Sequence, residues 1–218
     1  MFDLQGALLL VPGFLIGFAF HEFAHAFAAD KLGDPTPRMQ GRLTIEPWPH
    51  IDIFGFITLL LVGFGWAKPV QIDPRNFKNP KRDDIIVSLA GPLTNLALAI
   101  MFGIIVFVLR QYNIMGSIGD KPGYYLEEML GKAIWINVLL FIFNLLPIPP
   151  LDGSHVVANL LPYHWAIKYM SFQVYSLLVL ATLIITKAYV YIVMLPSLMV
   201  FTSILDVFRL GDLIRVIM

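Results

Sequence analysis

His21-Glu22-Phe23-Ala24-His25 lies near the end of an apolar run, residues 4–29, in which these three are the only ionisable side chains. On a helix of 3.6 residues per turn, positions i and i+4 stand about 40° apart, so both imidazoles can reach one metal ion. Glu22 points roughly 100° from His21, beside that ion and not onto it. Ionisable groups inside a membrane segment are costly and by default mark a functional site. The pentapeptide thus reads as a metal-and-base constellation carried by a membrane helix.

The composition agrees. Of 218 residues, 58% are apolar, whereas about half is usual for soluble domains. The formal net charge is zero, which gives no electrostatic case for nucleic acid as a partner. Absence of cysteine excludes disulfides. Met1-Phe2-Asp3 has no basic region, and no small-residue cleavage site precedes the cluster, so the first segment reads as retained in the membrane.

A spanning helix takes about 20 mostly apolar residues. Residues 4–29, 85–109, 133–151, 169–186 and 189–208 qualify or come close. Residues 51–66 form a shorter stretch with Asp52 and three glycines. Asp152 follows the segment 133–151, much as the histidines lie toward the end of the first. The two sites share one face of the bilayer only if an odd number of crossings separates them. Residues 85–109 supply one, so 51–66 is expected to re-enter. The lysines and arginines fit that arrangement. Lys31, Arg38, Arg42, Lys68, Arg75, Lys78, Lys81 and Arg82 fall on the histidine side, joined by Lys168, Arg209 and Arg215 in a five-span layout. Arg110, Lys121, Lys132 and Lys187 fall on the other. The positive-inside rule then turns the histidine side toward the cytoplasm, and small size suggests a prokaryotic plasma membrane.

The expected fold is an all-α polytopic membrane protein with about five transmembrane helices, a re-entrant segment and a small juxtamembrane β-element. It forms one membrane-embedded domain over 1–218, with a core of about 4–153 and additional helices over about 169–208. The β-element rests on alternation in 39–46, where Met39, Gly41, Leu43 and Ile45 interleave with Gln40, Arg42, Thr44 and Glu46, and on a partner in 68–73. Its exposed edge would capture an unwound peptide by strand addition.

Catalytic zinc takes three protein ligands and an open position. Beyond His21 and His25, Asp152 is the strongest candidate. Pro147, Pro149 and Pro150 break the helix before it, and irregular backbone at membrane depth is tolerated where it is buried in protein or lines a water-filled cavity. Gly153 would let the chain turn. His155, three residues on, is an alternative donor with a supporting role more in keeping with its place. His50 and His164 read as loop residues, and Trp48, Trp66, Trp135 and Trp165 as interfacial anchors.

The set His21–His25, Gly91-Pro92-Leu93-Thr94-Asn95 and Asn144-Leu145-Leu146-Pro147-Ile148-Pro149-Pro150-Leu151-Asp152-Gly153, in this order on three apolar segments, resembles the site-2 protease family. Lacking any segment long enough for a PDZ or CBS domain, the chain resembles a minimal member. The resemblance implies an intramembrane zinc metalloendopeptidase that cleaves transmembrane protein or peptide substrates within the lipid bilayer. It implies one Zn2+ per chain held by His21, His25 and Asp152, with Glu22 as general base. It further implies a polar role for Asn144, and more loosely Asn95, near the substrate or the developing oxyanion. A membrane metal-binding or transport protein using the same ligands without hydrolysis is the alternative, as is an inactive relative that retains membrane proteins. A base beside the ligands favours the enzyme.

Overall fold

The computed structural model describes residues 4–62 and 68–217. Its α-helices are α1 (Leu4–Leu32), α2 (Thr36–Met39), α3 (Ile53–Val62), α4 (Pro80–Gln111), α5 (Ile114–Ser117), α6 (Asp120–Asn144), α7 (Asp152–Leu160), α8 (Tyr163–Ser171), α9 (Ser176–Ile185) and α10 (Leu195–Val207). Short 3-10 segments and one π segment, Val190–Met194, join them, and a 3-10 segment, Gly211–Ile217, follows α10.

The centre is a three-helix unit of α1, α4 and α6. Gly13 and Gly17, one turn apart, let α6 close on α1. A Cβ on Gly13 would sit 2.6 Å from the Ala133 Cα, and one on Gly17 would sit 2.8 Å from Asn137 Oδ1. Small residues at four-residue spacing are how membrane helices bring their backbones together. The order of these pairs makes α1 and α6 parallel. The pairs Gly17–Asn95 and His25–Val87 rise on one helix and fall on the other, so α4 runs antiparallel between them. α10 packs on the other side of α6, burying Leu98, Phe102, Val106, Ile134, Val138, Phe201, Ile204 and Leu205 as an apolar core.

Among the described residues, four helices are long and apolar enough to cross a membrane: Gln5–Leu32, Pro80–Gln111, Tyr163–Ile185 and Val190–Val207. The chain is an integral membrane protein of the all-α, polytopic class. α6, which carries the first part of the expected span 133–151, is not among them: Lys121, Glu127, Glu128 and Lys132 occupy its first half. Its apolar part begins near Ala133 and runs into the broken segment before α7.

Residues 51–62 open the shorter apolar stretch for which re-entry is expected. α3 has 10 residues, about 15 Å of helix against a hydrocarbon core of about 30 Å. The chain also returns to where it left, because the backbone N–H of Lys68 donates to His50 O at 2.8 Å. Residues 63–67, and Trp66 with them, lie outside the described residues.

Two expectations are corrected. No strand ladder forms among the described residues, so the juxtamembrane β-element and its capture of substrate fall away. Gly41 turns the chain at φ +68°, and Arg42, which alternation assigns to the outer face, is buried with its guanidinium on the carbonyls of Pro49 and Lys68. Residues 39–46 and 68–73 still meet, through the Gln40–Gln71 side-chain bond of 2.9 Å. Second, Arg209 and Arg215 belong to the end opposite the histidines. Arg215 pairs with Glu127 at 2.8 Å and Asp212 with Arg110 at 2.7 Å, at the far ends of α6 and α4. The reason is that Tyr163–Ile185 does not cross beside the core helices. Tyr169 and Ser176 both bond to the Pro147–Pro149 backbone, so this helix lies at the periphery near the histidine end. Trp135, partly buried, packs against Phe201 with ring centroids 5.3 Å apart.

Candidate metal centre

α1 and α6 are parallel, so the ends that carry His21–His25 and the segment after Asn144 emerge together. α6 stops at Asn144, and the proline-rich stretch reverses the chain into α7, whose first residue is Asp152. Gly153 serves this reversal by close approach: it is helical, and a Cβ there would collide with the Leu145 carbonyl.

Three donor atoms converge. His21 Nε2 and His25 Nε2 are 3.0 Å apart. Asp152 Oδ2 lies 3.2 Å from the first and 3.3 Å from the second. Ligands about 2.0–2.1 Å from a tetrahedral zinc stand roughly 3.3 Å from one another. His21, His25 and Asp152 form the one three-donor group of this kind among the described residues.

The protons make the fit stricter. His25 Nδ1 faces the Val87 carbonyl at 2.8 Å, an acceptor only, so the ring keeps its proton there. His21 Nδ1 donates in the same way to Asn95 Oδ1 at 2.6 Å. Both Nε2 atoms are then bare lone pairs, aimed at each other and at a carboxylate oxygen. Asp152 Oδ2 is buried and has no hydrogen-bond donor among the described residues. Three converging acceptors call for a cation. Gly91 leaves the space, since a Cβ there would strike His25 Nε2 and come within 2.7 Å of His21 Nε2.

Glu22 is buried next to the pair, and its Oε2 accepts the backbone N–H of Val70 at 2.9 Å. One carboxylate oxygen is thereby fixed and the other left for chemistry. The segment bearing Val70 is anchored through Asp34, which accepts from Thr36 N at 3.0 Å, Asp73 N at 2.8 Å and Asn76 Nδ2 at 2.8 Å.

The polar neighbours divide. Asn95 sits behind His21, with its amide nitrogen on Gly17 O and Asn137 Oδ1, each at 3.0 Å, so its capacity faces the helices and not a substrate. Asn144 donates to Leu140 O at 3.0 Å within its own helix. His155 stands apart from the triad, 3.6 Å from Asp84 Oδ2, whose charge raises the imidazole against the opposing effect of burial. His50 is buried against Thr44 O at 2.9 Å. Gly91, Val70 and Asn137 carry weight here that their sequence context does not announce. The Gly13–Gly17 spacing was the available signal for the helix register that brings Asn137 to the site.

Residues 9–126 and 120–186 match Peptidase family M50. The protein named "Putative zinc metalloprotease YwhC" of Bacillus subtilis (strain 168) is 38% identical over 183 residues, 84% of this chain and 83% of the relative. "Putative zinc metalloprotease MJ0611" of Methanocaldococcus jannaschii is 34% identical over 152 residues, 69% of each chain. "Putative zinc metalloprotease Rip2" of Mycobacterium tuberculosis H37Rv is 28% identical over 152 residues, 67% of this chain and 54% of the relative. No solved structure matches. With its donor triad, adjoining glutamate and these relatives, the chain belongs to peptidase family M50, the site-2 protease family of zinc metalloproteases.

Proposed function

We propose that this protein is an intramembrane endopeptidase that hydrolyses peptide bonds within transmembrane segments of other membrane proteins. The observation that carries the proposal is the convergence of three proton-free donors beside a buried glutamate, at the end of a helix built to cross a bilayer. His21 and His25 lie about 16 and 10 Å before the end of α1 at Leu32, below a surface that water can reach.

His21, His25 and Asp152 would hold zinc, which when bound acts as a Lewis acid and makes water a nucleophile near neutral pH. Glu22 takes the proton of the attacking water on the oxygen that Val70 leaves free. It then gives that proton to the departing amine, as a general base turned general acid. Val70 N–H keeps the carboxylate plane fixed through both transfers. Asn144, at the end of α6 before the break, is assigned to the substrate side. The basic surface of residues 31–82 supports an orientation with this site toward the cytoplasm of a prokaryotic plasma membrane.

The test is cleavage of a panel of transmembrane peptides by detergent-purified protein, wild type against Glu22→Gln at matched zinc content. Wild type is expected to cut at least one peptide, and the variant to lose about 10²–10⁴-fold in rate while keeping its metal. Equal activity in both would remove Glu22 as the base. Bound zinc without cleavage by either form would favour metal handling without hydrolysis.

A further inference from the structure

We infer that Asn137, on α6, is a positioning residue for the metal site, acting through Asn95 to fix which ring nitrogen of His21 carries the proton. The inference rests on the metalloprotease reading above and extends it to a residue that touches neither metal nor substrate.

Asn137 is wholly buried. Two of its neighbours are helix carbonyls, Gly13 O at 3.3 Å and Ala133 O at 2.9 Å. Carbonyls only accept, so the Asn137 amide nitrogen must face them and its oxygen must face α4. There it accepts from Asn95 Nδ2 at 3.0 Å, while the second N–H of the same nitrogen reaches Gly17 O at 3.0 Å. Asn95 is then obliged to turn its oxygen toward His21. His21 Nδ1 holds its proton against that oxygen at 2.6 Å, and Nε2 is left bare for the ion.

All links but Asn137–Ala133 join groups on different helices, and both asparagines are fully buried, so no solvent relieves a wrong orientation. Flipping either amide would set like groups face to face, which a low-dielectric interior penalises heavily. Without Asn137, Asn95 keeps one bond out of two on its nitrogen, and its hold on the His21 tautomer loosens. Outer partners of metal-binding histidines typically change metal affinity 10–100-fold when removed.

The experiment measures zinc affinity in detergent by competition with a chromophoric chelator, with helix content and zinc-free thermal stability followed in parallel. Asn137→Ala is expected to weaken zinc binding 10–100-fold with helix content unchanged. Asn137→Leu, closer to asparagine in volume, takes its place if that variant fails to fold. Asn137→Asp keeps an acceptor toward Asn95, so it is expected to hold zinc within about threefold of wild type while losing thermal stability. Asn95→Asp alone is expected to bind zinc poorly, because a carboxylate oxygen then meets Asn137 Oδ1.

Unchanged affinity in both Asn137→Ala and Asn137→Leu would overturn the inference. So would an affinity in Asn137→Asp as low as in Asn137→Ala, since Asn137 would then only pack helices. Wild type that binds no zinc would overturn the metal reading itself, and this inference with it.

Discussion

At the scale of single residues, the tightest constraint is the missing side chain at Gly91. A methyl group there would overlap His25 Nε2 and crowd His21 Nε2. Gly91→Ala is therefore expected to lower zinc affinity by at least tenfold, since the imidazoles must move off their common point. Alanine favours helix over glycine by about 1 kcal/mol, so α4 itself should not suffer. Metal content after dialysis, compared with helix content, separates the two effects; retained zinc would mean the pair has room to shift. The histidines and Glu22 were legible in the sequence because their geometry is local, five residues of one helix. Asp152 was legible as a candidate ligand because prolines announce the break before it. Gly91 and Asn95 were visible only as a motif, and Asn137 not at all, because their parts depend on how three helices register against each other.

At the scale of elements, the segment 68–76 decides whether Glu22 keeps its anchor, and Asp34 holds that segment. Asp34 is fully buried, and although burial opposes its charge, bonds from Thr36, Asp73 and Asn76 prevail and lower its pKa. A carboxylate with a depressed folded pKa stabilises the fold above its unfolded value of about 3.9, and that contribution is lost as pH falls through the folded value. Resistance of residues 68–76 to limited proteolysis should accordingly fall below about pH 4 in wild type. Asp34→Asn should be more easily cleaved at neutral pH, by about 1–3 kcal/mol of local stability, and lack that acid step. Equal cleavage of the two proteins at pH 7 would contradict this. The expected strands in this region illustrate what alternation omits. The period-two pattern of residues 39–46 is present, but buried polar bonds from Arg42 and Asp34 outweigh it, and neither is encoded in periodicity.

At the scale of the whole molecule, the parallel course of α1 and α6 was deducible from the need to unite Asp152 with the histidines, since only an odd number of crossings between them allows it. The fate of the last two apolar segments was not deducible, because hydropathy counts candidate helices without saying which pack together. Five crossings would return the C-terminus to the metal end, whereas Arg110–Asp212 and Glu127–Arg215 hold it at the opposite end. From Gly91 to Arg110 is about 28 Å along α4, close to the thickness of the hydrocarbon core. The chain has no cysteine, so single reporters can be placed without background. Lys78 is exposed at the metal end, and a Cβ on Gly211 meets nothing within 4 Å. In intact cells, an impermeant thiol reagent is expected to label Gly211→Cys and spare Lys78→Cys, with both labelled once the membrane is opened. The lysines and arginines still favour this orientation after Arg209 and Arg215 change sides, because eight of them remain between Lys31 and Arg82. Labelling of both positions from one side would restore the five-span course and require the ion pairs at the far end of α4 to be broken. Reversed labelling would keep the four-helix core and turn the metal centre away from the cytoplasm.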